Sequence, residues 1–128
     1  MKVYLAGPHM DDAYREEATR LLTRVRRIEV IDPIAARDFR GREIENEDQI
    51  VRGDLADVVA CDVVLGNYSV PGWGTAMETW FARSIGRTVI AYVAPDTRVS
   101  PWVAYCAGGW DRVFRDLRAA CDYAVAIS

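Results

Sequence analysis

The chain has 128 residues, 51% of them hydrophobic and 27% charged, with a net charge of -3 at pH 7. That is enough for one domain with a real core, expected to span residues 1–128. The mildly acidic balance excludes a global attraction to nucleic acid or to an anionic membrane surface, so a small molecule is the default partner. The three cysteines, Cys61, Cys106 and Cys121, have neither CxxC nor CxxH spacing and read as buried thiols of a reducing compartment. The single histidine, His9, cannot assemble a His-rich metal site. The first apolar run is stopped by Pro8 and an acidic pair, too soon for a signal peptide or a membrane span, so a cytoplasmic location is expected.

In chain order, Lys2–Ala6 is a short apolar strand closed by Gly7-Pro8. Asp11 or Asp12 caps a helix whose apolar face is Tyr14, Ala18, Leu21, Leu22 and Val25. The arginines gathered at its carboxyl end (Arg20, Arg24, Arg26, Arg27) suit the helix dipole and read as a solvated face. Residues 28–31 form a second strand, ended by Asp32-Pro33, and residues 35–42 a basic, aperiodic loop over the sheet. A helix is predicted over 43–60, with Ile44, Val51, Leu55, Val58 and Val59 on one side. Gly53 inside it costs about 1 kcal/mol against Ala, which marks a place where something packs or binds closely.

Residues 62–68 read as the third strand and 74–85 as the third major helix, with Thr75 as its N-cap and Met77, Trp80, Phe81 and Ile85 toward the core. Residues 88–93 are a continuous apolar run, as in a parallel strand covered on both faces. Pro101 opens a short helix at its N1 position. A helix over 110–121, with Val113, Phe114, Leu117 and Cys121 inward, and a fifth strand over 123–127 complete the pattern. Strands alternating with helices predict an α/β fold: a flavodoxin-like, doubly wound parallel sheet of five strands with helices on both faces.

Glu78 falls near the start of the third helix, at the carboxyl end of a central strand, where open α/β sheets bind ligands. In a first helical turn the dipole would favour its ionised, nucleophilic form. Asp54, at the margin of the preceding helix's apolar stripe, is its expected partner. Two carboxylates flanking one bond can carry out a double displacement, one attacking an anomeric carbon and the other handling the leaving group. The usual nucleotide signatures fail: no GxxxxGK[ST] is present, and GWGTAM has two of the three dinucleotide glycines and follows the third strand. Gly72 and Gly74 free the backbone of that loop, and Trp73 offers a stacking wall for a base. His9 lies at the first strand–loop junction, where ligand contact and plain solvent exposure are both open readings.

Four pieces together, KVYLAGP, GDLADVVACDVVLGNY, GTAMETWFARSIGRTVIAY and SPWVAYCAGG, resemble the nucleoside 2-deoxyribosyltransferase family, which includes deoxynucleoside 5'-monophosphate N-hydrolases and CMP hydrolases. The resemblance runs over most of the chain. It implies that Glu78 is the nucleophile, that Tyr4 hydrogen-bonds it, and that Asp54 contacts the base and assists its departure. It also implies that Gly7, Pro8 and His9 hold substrate and that Ser100 and Trp102 reach a neighbouring subunit's site, in an assembly of at least two copies. The chain departs from the family at Gly72, where several transferases carry aspartate. Ser69 is the closest serine to the place where the N-hydrolases bind a phosphate. The implied activity is cleavage of the N-glycosidic bond of a 2'-deoxynucleoside or its monophosphate through a covalent glycosyl-enzyme, with transfer of the deoxyribose to another base and no metal or redox cofactor. An N-glycosidase that transfers the sugar of a nucleoside monophosphate to water is the alternative, with Arg37, Arg40, Arg42 and Arg98 as phosphate partners. A non-catalytic nucleotide-binding module is a further one.

Overall fold

Strand β1 (Lys2–Ala6) is buried from Val3 to Ala6, and its alternation divides the core into two layers. Val3 and Leu5 face helix α1 (Asp12–Leu22) and helix α6 (Leu117–Ile127), together with Tyr14, Ala18, Leu21, Leu22, Ala120, Cys121 and Ala124. Tyr4 and Ala6 face the other layer, which takes Val58 from α3 (Glu47–Ala60), Ala82 from α4 (Trp73–Ser84) and Ala107 from α5 (Pro101–Ala107). The computed structural model behind this description covers residues 1–128.

The remaining strands are β2 (Glu29–Ile31), β3 (Val63–Asn67), β4 (Thr88–Tyr92) and β5 (Val113–Phe114). All pair in parallel in the order β2-β1-β3-β4-β5, the flavodoxin-like order predicted above. The winding reverses between β1 and β3, so a crevice opens beyond their carboxyl ends. Two side chains brace that switch point. The Tyr14 hydroxyl reaches the Ala6 and Leu65 carbonyls at 3.0 and 2.8 Å, and Asn67 Nδ2 donates to Asp11 Oδ2 at 3.1 Å. Asp11 also caps α1 by accepting from the Tyr14 N–H.

Several expectations are corrected. Residues 123–127 are helical, not a strand: they belong to α6, which Asp116 caps and whose small residues Ala120, Cys121 and Ala124 pack against the sheet and α1. The helix expected over 110–121 is instead a 3₁₀ turn (Trp110–Arg112), strand β5 and the first part of α6. The helix expected from residue 43 starts at Glu47, and Asp32-Pro33 opens a short helix α2 (Pro33–Ala36) rather than a loop. Of the apolar side predicted for α3, Val58 is buried, whereas Val51 and Val59 are exposed and Ile44 lies outside the helix. In α4 the N-cap is Gly72, not Thr75, and the buried face is Thr75, Thr79 and Ala82. Phe81 and Ile85 pack at the margin of the core, but Met77 and Trp80 are 64% and 50% exposed.

Candidate active site

A cavity of about 830 Å³ occupies the switch point, the size of a small-molecule site. Its walls are the β1–α1 loop, the residues around α2, the middle of α3 and the first turns of α4. Glu78, Asp54, Tyr4, Gly7, Pro8, His9, Gly72, Trp73 and Gly74 all line it. Three predicted residues do not. Ser69 spends its hydroxyl accepting from the Ala94 N–H at 2.9 Å. Ser100 caps α5 by accepting from the Trp102 N–H, and Trp102 is exposed, edge-on to Trp80 with ring centroids 6.1 Å apart.

Glu78 sits in the second turn of α4, because that helix is capped at Gly72 rather than at Thr75. The dipole fades beyond the first turn, so the expected favouring of its ionised form is not what governs it. Burial instead pushes its carboxyl up to about 7, reinforced by the nearby negative charge of Asp54 and opposed by a hydrogen bond from Tyr4. The Tyr4 hydroxyl, on the face of β1 turned to α4, donates to Glu78 Oε2. Burial and the neighbouring carboxylates raise the Tyr4 phenol well above its ordinary range, so it remains a donor at any physiological pH. Strand and helix are both rigid, which fixes this pair without a loop.

Asp54 lies on α3 with its side chain one-quarter exposed. Burial raises its carboxyl, while Arg37 pulls the other way. Arg37 follows α2 and reaches over α3: its Nη2 donates to Asp54 Oδ1 at 3.0 Å and to Asp57 Oδ2 at 2.5 Å. Gly53 makes room for it. A Cβ there would stand 2.3 Å from Arg37 Nε, which accounts for a glycine in mid-helix. The other arginines named as phosphate partners are differently engaged. Arg40 lines the cavity but is paired with Asp12 and Asp38 at 2.9 and 2.7 Å. Arg42 stacks over Phe39, and Arg98 belongs to a separate surface depression with Arg115.

Arg15 is the lining residue that sequence reasoning overlooked. It is 3% exposed, donates to the carbonyls of Asp11 and Gly7, and lies 3.4 Å from Asp32. Its spacing was the available signal: three residues before Ala18 and seven before Leu22, it shares the apolar face of α1, unlike the solvated arginines that follow.

The family model described as nucleoside 2-deoxyribosyltransferase matches residues 3–123. Among solved structures, the chain is similar to a conserved protein of Enterococcus faecalis (16% identity, TM-score 0.76, covering 100% of this chain and 99% of the other). It is similar as well to the 2-deoxyribosyltransferase of Bacillus psychrosaccharolyticus (19%, 0.73, 99% and 95%). A third likeness is to the CMP N-glycosidase of Clostridium botulinum (16%, 0.69, 98% and 99%). At such identities these likenesses speak for the fold. No curated protein matches the chain in sequence.

Proposed function

The chain belongs to the nucleoside 2-deoxyribosyltransferase family, and on that premise we propose that Glu78 and Asp54 cleave the N-glycosidic bond of a 2'-deoxynucleoside and pass the deoxyribose to a second base. The Glu78 carboxylate attacks C1', the C1'–N bond breaks with its electron pair leaving on the base, and Asp54 delivers a proton to that base. The product is a glycosyl ester on Glu78. In the second half Asp54 takes a proton from the incoming base, whose nitrogen attacks C1' and releases Glu78. The absence of a 2'-hydroxyl makes the oxocarbenium-like transition state less costly, so modest electrostatic help suffices.

One observation carries the reading: two carboxylates with raised proton affinity line one cavity, and one of them is held by a buried phenol. Tyr4 favours the charged form of Glu78. Gly7 is required for the close approach of the first loop, since a Cβ there would sit 3.0 Å from the Tyr14 ring. Pro8, His9 and Trp73 form the rest of the sugar and base enclosure. The pairing of Arg37 and Arg40 with carboxylates favours an uncharged nucleoside over its 5'-phosphate. The test is to incubate the protein with deoxynucleosides, deoxynucleotides and CMP, with and without an acceptor base, and to follow free base and new nucleoside by chromatography. A new nucleoside that appears only with acceptor supports transfer; free base from monophosphates alone supports the hydrolase.

Tyr4→Phe tests the phenol. Without the donor, the charged form of Glu78 loses its hydrogen bond and its carboxyl rises further above 7. The acid limb of the kcat/KM profile is therefore expected to move to higher pH in this variant. An unmoved limb counts against Tyr4 acting on Glu78.

The functional unit is a homo-oligomer. Met77, Trp80, Trp102 and Tyr105 are all at least half exposed on α4 and α5, with Trp80 and Trp102 in contact, and large exposed apolar side chains gathered on neighbouring helices mark a protein contact. On this reading Ser100 and Trp102, which do not line the chain's own cavity, belong to the subunit boundary. Light scattering should give at least a dimer for the parent chain and a monomer for the double variant Trp80→Glu/Trp102→Glu.

A further inference from the structure

We infer that Arg37 is a positioning residue for the reaction: by holding Asp54 Oδ1 and Asp57 Oδ2 across the notch at Gly53, it fixes Asp54 with its second oxygen turned to the cavity. This rests on the roles proposed above for Asp54 and Glu78, and it goes beyond them by assigning a residue that touches neither sugar nor base.

Three features support the assignment. First, one nitrogen, Arg37 Nη2, serves two carboxylates one helical turn apart, at 3.0 and 2.5 Å, so α3 and the end of α2 are tied at the residue that needs orientation. Second, no protein donor reaches Asp54 Oδ2, which leaves that oxygen available to a ligand. Third, the chain bears two local costs to keep the arrangement. A glycine interrupts α3 at the point of crossing, and the Arg37 Nε is buried over it without a partner. A guanidinium needed only for surface charge would not be laid across a helix in this way.

Electrostatics follow from the geometry. The groups facing Asp54 are Arg37 from the end of α2, Asp57 on its own helix, Tyr4 from β1 and Glu78 from α4. Across the cavity stand Arg15 from α1, Arg40 and Glu43 from the α2–α3 segment, and His9. Only Arg37 makes a direct ion pair with Asp54. Taking it away leaves Asp54 beside Asp57 and Glu78 with no opposing charge in contact, so Asp54 holds its proton to higher pH. A neutral Asp54 no longer disfavours the charge on Glu78, whose titration then moves down. The limb of the rate profile set by Asp54 should move to higher pH and the limb set by Glu78 to lower pH, while the maximum falls.

The experiment compares the parent with Arg37→Met, Arg37→Lys and Gly53→Ala, all checked for folding by circular dichroism. Arg37→Met should lose about 10²-fold in kcat from the misplaced acid, with KM little changed and the Asp54 limb of the profile moved to higher pH. Arg37→Lys keeps the charge but not the planar fork, so the Asp54 limb should return toward that of the parent while kcat recovers only in part. Gly53→Ala retains the arginine but pushes it off α3, and should reproduce the Arg37→Met profile in weaker form. Independently of turnover, carbon-13 carboxyl NMR, with Asp54 assigned through Asp54→Asn, should show the Asp54 midpoint higher in Arg37→Met than in the parent. An Asp54 titration and a rate profile both unchanged in Arg37→Met overturn the inference. If the parent releases no base from any substrate, the proposed function fails, and the Asp54 titration still decides whether Arg37 governs that carboxyl.

Discussion

Glu78→Gln is expected to lower the release of base by about 10³-fold or more, because it removes the atom that bonds to C1' and leaves only binding and acid assistance. Glu78→Ala should be equally inactive but should accept a small external nucleophile such as azide or formate in the vacated space. Mass spectrometry of the parent quenched during turnover should find a deoxyribosyl adduct on the peptide containing Glu78, and none in either variant. Retention of parental activity by Glu78→Gln refutes the nucleophile. The same variant carries a second signature. Folding lifts the Glu78 carboxyl from its ordinary 4.5 to about 7, so the folded chain binds this proton more tightly than the unfolded one. Its contribution is fully favourable below pH 4.5 and is lost as pH rises to 7, a change of about 3 kcal/mol at most, since water reaches the group through the cavity. Gln has no such proton to lose. Melting curves of parent and Glu78→Gln should therefore lie close together near pH 4.5, with the variant melting higher at pH 8.

Asp54→Asn should reduce turnover of ordinary deoxynucleosides by about 10²- to 10⁴-fold, the range for loss of one general acid. The loss should depend on the leaving group. A 2-deoxyriboside of a phenol that departs readily as its anion needs no proton, and its cleavage by Asp54→Asn should stay within about tenfold of the parent. Equal losses on both substrates would mean that Asp54 binds or orients rather than protonates. The limb set by Asp54 should disappear with the carboxyl, while the limb set by Glu78 should move to lower pH once the neighbouring charge is gone.

How far the fold could be read in advance depended on how each segment meets the core. The three central strands are continuous apolar runs bounded by Gly, Pro or Asp, and they were legible almost to the residue: Lys2–Ala6, Val63–Asn67 and Thr88–Tyr92. The carboxyl-terminal segment was not. Tyr123–Ile127 is short, apolar and partly β-branched, and periodicity over five residues does not separate a strand from a helix packed on one side. The signal that would have settled it lies upstream: Asp116 as N-cap, then Ala120, Cys121 and Ala124 at helical spacing. In α4 hydrophobicity misdirected the reading, since Met77 and Trp80 point outward while Thr75 and Thr79 are buried, the Thr79 hydroxyl donating to the Thr75 carbonyl. Glu78, Asp54 and Tyr4 were legible through the family resemblance, and the structure brings them to one cavity. Arg37 was only half legible. Gly53 signalled a close neighbour, but which side chain crosses a helix is a fact of tertiary packing.

The outermost strands of the sheet are three and two residues long. So few unpaired backbone amides and carbonyls make each flank a poor template for lateral strand addition, the commonest route by which exposed sheets polymerise. Copies of this chain are left with helical surface on which to meet. Crowding should thus yield discrete particles rather than fibrils, and a helix-lined seam can change its side chains without disturbing the hydrogen-bonded ladder beneath.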